Sequence, residues 1–370
     1  MITYLELKNF KCFDNLEIDL APITLITGIN GMGKSSVIQS LLMLRQSFDE
    51  RYLQTEDKIL LNGQLTKLVS GEDLRYVLAD TLLTTINLEF SDSLEATWNI
   101  KAEGSKELLS CEQSDKKSVY DENLFKDNFQ YICAERLGPR MSYDKTLISK
   151  HKGRLGTGNT ELTASFLYKC LSENKKLPVS NLKYPGLKSD LIYDNTNAWL
   201  SHIGYEGASV SANEITQNKI ELRYSFARGK FSGKDFSPVN VGFGFSYVLP
   251  VILSVLSAEP GSLILVENPE AHLHPAAQSK IGKLLALAAQ NDIQIVVETH
   301  SDHFLNGIRV GVRKKTIEPT KVLIHYFNSE LVDDVDRLFK ETIKILPDGK
   351  IDEWPRNFFD EWDNNLMQLI

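Results

Sequence analysis

The chain has 370 residues, 42% apolar and 9% aromatic, with a formal net charge of −8 at neutral pH. That composition supports one large buried core or two ordinary ones and excludes a disordered or fibrous protein. The acidic balance argues against coating DNA through overall positive charge, and the short basic run Arg313-Lys314-Lys315 reads as a solvated helix end.

From the N-terminus, residues 2–9 and 16–20 alternate loosely as strands, and 23–27 is a compact apolar run that stops at Gly28. The opening MITYLELKNFKCF carries charge from Glu6 and lacks the apolar core of a signal peptide. Val37, Ile38, Leu41, Leu42 and Leu44 recur at helical spacing, which predicts a helix over 34–48. Residues 86–90 and 94–100 read as hairpin arms. The polar stretch 101–128 reads as a surface excursion, and 129–135 returns to strand character before Gly138-Pro139.

The middle, 141–236, is expected to be a mainly helical insertion. Thr160 is a candidate cap for a helix through 166–170, a second helix spans 187–203, and 220–226 reads as a strand. Beyond it, 246–258 reads as a helix, 262–267 as a buried strand, 275–289 as a helix and 293–298 as a second buried strand. Another helix starts near Asp302. Two successive strand–helix units with continuous apolar strands imply parallel pairing in a sheet covered on both faces. The tail 346–370, with Trp354, Phe358, Phe359 and Trp362, is too aromatic for a solvated end and is expected to pack on the domain or on a partner. No apolar stretch reaches the ~20 residues of a membrane-spanning helix. Cys12, Cys111, Cys133 and Cys170 form no close pair, so they read as reduced thiols in a cytoplasmic protein.

The strand, glycine loop and helix around Gly28-Ile29-Asn30-Gly31-Met32-Gly33-Lys34-Ser35 fit G-x-x-x-x-G-K-[ST] at every fixed position. Glycines let backbone N–H groups turn toward phosphates, Lys34 places a charge on the β- and γ-phosphates, and the Ser35 hydroxyl suits Mg²⁺. A metal partner is expected at the tip of a buried strand. Glu267, ending Leu263-Ile264-Leu265-Val266, supplies that carboxylate.

Four motifs together resemble the ABC-type ATPases of the SMC/RecF/OLD group and the small bacterial predicted ATPases related to them. Gly28 to Ser36 is similar to that group's Walker A, and Glu267-Asn268-Pro269-Glu270-Ala271-His272-Leu273-His274-Pro275 resembles its Walker B and D-loop. Val297-Glu298-Thr299-His300-Ser301 resembles the switch-histidine strand, and Gly242-Phe243-Gly244-Phe245-Ser246 a degenerate signature opening a helix. The tail around Trp354-Pro355 and Phe358-Phe359-Asp360 is similar to a subset of these proteins.

The resemblance implies an α/β P-loop NTPase of ABC/SMC-head type, with a mixed sheet, antiparallel N-terminal strands and a helical insertion. The expected divisions are an N-terminal ATPase lobe (1–140), the insertion (141–236), a C-terminal ATPase lobe (237–345) and the tail. It also implies ATP held by Asn30, Gly31, Gly33, Lys34, Ser35 and Ser36, with Mg²⁺ on Ser35 and Glu267. Gly242, Gly244 and Ser246 would cap the γ-phosphate held by a second copy, so that ATP closes a homodimer, and His300 would report on that phosphate. The catalytic set is Glu267, Asn268, Glu270 and His300.

One departure stands out: Asn268 occupies the position where the family often has a glutamate that polarises water. An amide orients water but takes no proton. Either hydrolysis is slow or Glu270 or another acid substitutes. Gln64 is the weak Q-loop candidate. A transition-metal site built from His272, His274, His300 and His303 with Glu267, Glu270 and Asp302 is the weaker reading, because most of these residues already have places in the ATPase pattern. Arg136 and Arg140 read equally as phosphate or partner contacts and as surface ion pairs. Too little chain follows His300 for a Toprim nuclease domain, and Asp333, Asp334 and Asp336 form no convincing metal pair.

The leading functional expectation is a homodimeric ATPase switch that controls a separate effector, such as a nuclease, in antiphage defence or DNA repair. The alternatives are an SMC/RecF-type DNA clamp and a nonhydrolysing ATP-sensing scaffold.

Overall fold

Alternating strands and continuously apolar strands call for different neighbours, and the computed structural model contains both kinds. It describes residues 1–104, 106–145, 153–227, 233–332, 335–356 and 358–369. Two compact units emerge: residues 1–126 with 319–346 and 350–370, and residues 127–318 with 347–349. These divisions differ from the expected lobes. The chain after 318 joins the N-terminal unit because β14, described below, pairs with the strand that precedes the glycine loop.

In the first unit, β1 (Ile2–Phe10) pairs antiparallel with β2 (Phe13–Asp19), and β3 (Ile23–Gly28) leads into helix α1 (Lys34–Asp49). Short elements α2 (Tyr52–Thr55), β4 (Lys58–Leu60) and α3 (Gly71–Leu74) precede β5 (Leu83–Phe90), β6 (Glu95–Lys101) and β7 (Leu108–Gln113). Their sheet has the order β2-β1-β5-β6-β7-β4. The stretch read as a surface excursion is thus corrected. β7 pairs with both β6 and β4, and Leu109, Cys111, Val119, Leu124 and Phe125 are buried. Charged neighbours hide this pattern, because in a strand only every second residue needs to be apolar.

The second unit begins with β8 (Phe129–Ile132) and the two-residue β9 (Tyr143–Asp144), then α4 (Thr163–Ser172) and α5 (Ile192–Ile203). A hairpin, β10 (Ala208–Thr216) and β11 (Lys219–Phe226), pairs with β9. The middle segment is therefore mixed α/β, not mainly helical. Thr160 is not the cap either: it lies outside α4 with φ 64°, and Leu162 holds the N-cap position. Next come α6 (Phe243–Leu256), β12 (Leu263–Glu267), α7 (Pro275–Gln290), β13 (Gln294–Glu298) and α8 (Asp302–Arg313). As the continuous apolar runs require, β12 pairs in parallel with both β13 and β8.

The chain returns to the first unit with β14 (Val322–Val332), β15 (Val335–Ile343) and, in the tail, α9 (Glu361–Leu369). β14 lies parallel to β3 and antiparallel to β15. The aromatic tail packs as expected: Phe358 is fully buried against Tyr326 and Trp354, each with ring centroids 5.4 Å away. Asp333 and Asp334 lie outside the described residues. Among the described residues, no helix is long and apolar enough to cross a membrane.

Candidate functional site

The glycine loop lies in the first unit, between the buried strand β3 and α1. Gly28 has φ 133°, and a Cβ there would sit 2.0 Å from the Phe327 carbonyl oxygen, which accepts from the Ile29 N–H at 3.2 Å. Gly33 has φ 81°, and its missing Cβ leaves room for Phe13 and Cys12. Only glycine meets both conditions, left-handed backbone and close approach. Asn30, Gly31 and Ser35 are exposed along the loop, whereas Ser36 is buried. The Lys34 ammonium is held at the loop by the carbonyls of Gly28 (2.9 Å) and Ile29 (2.7 Å). No side chain caps α1, and its first turn carries no acid, so the positive helix end faces the loop without a competing anion. This donor set fits a polyphosphate.

Gln64 is exposed on the turn after β4. That turn is shaped by buried Gln46 of α1, whose amide donates to the Leu60 carbonyl (2.7 Å) and the Thr66 hydroxyl (2.6 Å).

The acidic residues belong to the second unit. Glu267 ends β12, and its carboxylate accepts from the Ala134 N–H (3.1 Å) and the Tyr131 hydroxyl (3.3 Å). Burial pushes the acid above the usual carboxylate range, and those two donors pull it partly back. A cation beside it would favour the charged form further. Arg136 is buried rather than part of a surface ion pair. Its guanidinium donates to the main-chain carbonyls of Glu267 and of Asn268 (2.9 Å), bracing the turn that follows the strand. Burial lowers its pKa to about 10, so it stays charged at neutral pH. Arg140, by contrast, is exposed.

The turn itself is unusual. Asn268 adopts φ 45°, a left-handed conformation that asparagine tolerates better than most residues. Its N–H donates to the Glu298 carbonyl at 2.8 Å, tying the end of β12 to the end of β13. Two residues on, the buried Glu270 carboxylate accepts from the His300 N–H at 2.9 Å. Burial raises the pKa of this acid too, against the lowering effect of that N–H. Among the described residues, Asn268 Oδ1 is a buried acceptor with no hydrogen-bond partner, and Glu270 Oε2 has none but the neighbouring Thr299 hydroxyl. Such an orphan costs about 1–3 kcal/mol unless something donates to it. Both acceptors lie within three residues of Glu267. The His300 side chain is exposed just beyond.

The signature segment is bound to the same turn. α6 starts at Phe243, earlier than predicted, so Gly242 is its N-cap and Ser246 lies in its first turns beside the Tyr224 phenol. A Cβ on Gly244 would approach the His272 carbonyl oxygen to 2.7 Å, so glycine permits the close packing of helix on D-loop. The His272 ring stacks between Tyr247 (4.6 Å) and Phe243 (5.5 Å). Gly242 is exposed with open space where a side chain would go, and Phe243 is half exposed beside it. His274 caps α7 by accepting from the Ala276 N–H at 3.3 Å, and His303 lies 3.7 Å from Asp302. Each of these three imidazoles has a structural setting. Among the described residues, no group of three or more His, Cys, Asp or Glu side chains is arranged to hold a metal.

Asn268, Glu270 and His300 are thus linked by hydrogen bonds between the ends of β12 and β13, next to Glu267, and Gly244 packs on His272 of the same turn. Sequence reasoning missed Tyr131 and Ala134 as supports of Glu267 and left Arg136 undecided. Their roles arise from the parallel register of β8 with β12, where Ile132 stands opposite Val266. An arginine following a strand end was the only available signal.

The chain is similar to several known proteins. Residues 1–179 match a family described as "AAA ATPase domain". Residues 176–306 match an "AAA domain" family whose description refers to the AbiEii toxin and a Type IV TA system, and 317–369 match a "Protein of unknown function (DUF3696)". Two curated relatives are the OLD nuclease of Thermus scotoductus, 22% identical over 92% of this chain and 67% of the relative, and the Septu protein PtuA of Bacillus mycoides, 21% identical over 84% and 39%. The chain therefore spans about two thirds of the first and well under half of the second. Among solved structures, an SMC head bound to the C-winged helix domain of ScpA superposes with a TM-score of 0.56 at 13% identity, over 92% of this chain and 97% of that one. A second SMC head, with an extended coiled coil and a bound ScpA domain from Pyrococcus furiosus, gives 0.52 at 13% identity, over 100% and 99%. The fold is that of an SMC head, with mixed sheets.

Proposed function

We propose that this chain, an ATPase of the SMC/RecF/OLD-like group, binds ATP·Mg²⁺ at its glycine loop, hydrolyses it slowly and closes as a homodimer around two nucleotides. The phosphates would lie along Asn30, Gly31, Gly33, Lys34, Ser35 and Ser36, and the metal would be held by Ser35 and Glu267. Bound Mg²⁺ would neutralise charge on the β- and γ-phosphates. Asn268 and Glu270 would orient the attacking water, and Glu270, whose pKa burial raises, is the residue able to take its proton. His300 would contact the γ-phosphate; because its N–H is bonded to Glu270, the phosphate sensor and the acid would move together. Exposed Gly242, with Gly244 and Ser246, would cap the nucleotide of the second copy.

The observation that carries this reading is the pair of buried acceptors beside Glu267: Asn268 Oδ1, without a partner among the described residues, and Glu270 Oε2, with only the Thr299 hydroxyl near it. Water-binding groups that cost stability in the free chain are what a hydrolytic centre needs. In the cytoplasm, nucleotide state would control a separate effector. The nuclease in one relative's name supports an effector of that class, in antiphage defence or DNA repair. Asn268 also favours a second reading, a scaffold that binds ATP without turnover.

Phosphate release under saturating ATP·Mg²⁺ separates the two. Slow turnover is expected in the native chain, with at least a ~100-fold loss of nucleotide affinity in Lys34→Ala, where a charge-assisted contact to phosphate is removed. Tight nucleotide binding with no phosphate release would establish the scaffold. Undiminished affinity in Lys34→Ala would contradict the site.

A further inference from the structure

The second unit holds another polar cleft, at the ends of β8 and β12 away from the Glu267 carboxylate. It has a volume of about 230 Å³, and its lining includes Asp127, Asn128, Gln130, Ser254, Glu259 and Ser262. Asp127 and Asn128 lead into β8, Ser262 leads into β12, and Glu259 follows the C-terminus of α6.

The polar atoms of this lining divide sharply. Gln130 is fully engaged: its amide donates to the Gly153 carbonyl (2.6 Å) and accepts from the Leu155 N–H (3.1 Å). The Ser254 hydroxyl donates to the Val251 carbonyl at 2.8 Å. In contrast, the Ser262 hydroxyl, on a residue only 2% exposed, and the buried Asn128 Oδ1 have no partner among the described residues. Both residues belong to a lining that also carries two exposed carboxylates, Asp127 and Glu259. No basic residue occupies the last turn of α6, so the negative end of that helix adds to the same field. The nearby cation Arg154 is stacked over the Phe129 ring, 5.2 Å from its centroid.

The open positions are acceptors, except that the Ser262 hydroxyl serves either way. The complementary ligand therefore carries N–H donors and positive charge. The volume is enough for a whole small amine or the head of one arginine side chain. A divalent metal is the poorer fit, since the lining supplies only two carboxylates and no group of three or more potential metal ligands occurs among the described residues.

We propose that this cleft binds an organic cation, an ammonium or guanidinium group, supplied by a free polyamine-like molecule or by a lysine or arginine of a partner protein. The test is calorimetric titration of the full chain, without nucleotide, using 1,4-diaminobutane, N-acetyl-arginine amide, MgCl₂ and glutarate. Saturable binding of either nitrogen cation is expected, weakened at least about tenfold in Asp127→Asn/Glu259→Gln and about threefold in Ser262→Ala. Tighter diamine binding identifies a free amine as the source; tighter arginine amide binding identifies a protein side chain. Either form of the result supports the proposal if ATP affinity is unchanged in the same variants, which sets this cleft apart from the nucleotide site. Failure of both nitrogen cations to bind, equal binding by the double variant, or preferential uptake of Mg²⁺ or glutarate would overturn it.

Discussion

Asn268 is the residue on which the proposed hydrolytic chemistry depends most. Its strained backbone holds an amide oxygen next to Glu267 without a hydrogen-bond partner among the described residues, and Arg136 and Glu298 fix its main chain from both sides. A carboxylate placed there would add proton-accepting capacity, at some cost in backbone strain, since glutamate tolerates the left-handed conformation less well than asparagine. Asn268→Glu is therefore expected to raise turnover about 100-fold, the usual scale for a positioned general base. Steady-state phosphate release checks this, and an unchanged rate would mean that Glu270 already takes the proton. The residues of the glycine loop were legible in the sequence because their spacing is dictated by phosphate. Asn268 was legible as a departure. Its orphaned oxygen was not, since whether a side chain finds a partner depends on neighbours brought from β8 and β13.

Between elements, two contacts carry measurable consequences. His325 of β14 is buried; its Nε2–H donates to the Asp19 carbonyl after β2 (2.7 Å), and its Nδ1 accepts from Thr342 of β15 (3.2 Å). Burial depresses its pKa from 6.5 to about 4. A depressed folded-state pKa means that the stability linked to neutral His325 is complete above pH 6.5 and is lost as pH falls through about 4. The loss is at most about 3 kcal/mol. Thermal melts between pH 7 and 4 should show this decline in the native chain and less of it in His325→Gln; identical slopes would contradict the assignment.

The other contact is the start of α6. Nothing lies within 4 Å of a Cβ added to Gly242, whose φ of −57° suits any residue. Gly242→Arg should therefore fold and bind nucleotide normally yet block closure of two copies, as analytical ultracentrifugation with ATP·Mg²⁺ would reveal. A variant that still dimerises would remove the signature from the interface. Periodicity revealed most helices and the buried parallel strands, because burial on one face or both leaves a regular apolar trace. It missed β7, whose apolar residues Leu109 and Cys111 are separated by polar ones, and understated the β10–β11 hairpin, which carries many exposed polar residues.

At the scale of the molecule, composition and motif order were enough to anticipate an SMC-head fold, but not the division into units. That division depends on residues 319–346 joining the N-terminal strands, a long-range pairing that no local pattern announces. The net charge of −8 makes a broad DNA-coating surface unfavourable and leaves protein closure as the favoured nucleotide-driven event. The most direct test of that closure is the solution mass of the chain, measured by light scattering with and without a slowly hydrolysed ATP analogue and Mg²⁺. A monomer that doubles in mass on adding nucleotide is expected, with Lys34→Ala remaining monomeric. A mass unchanged at saturating nucleotide, or a dimer that Lys34→Ala forms equally well, would contradict it.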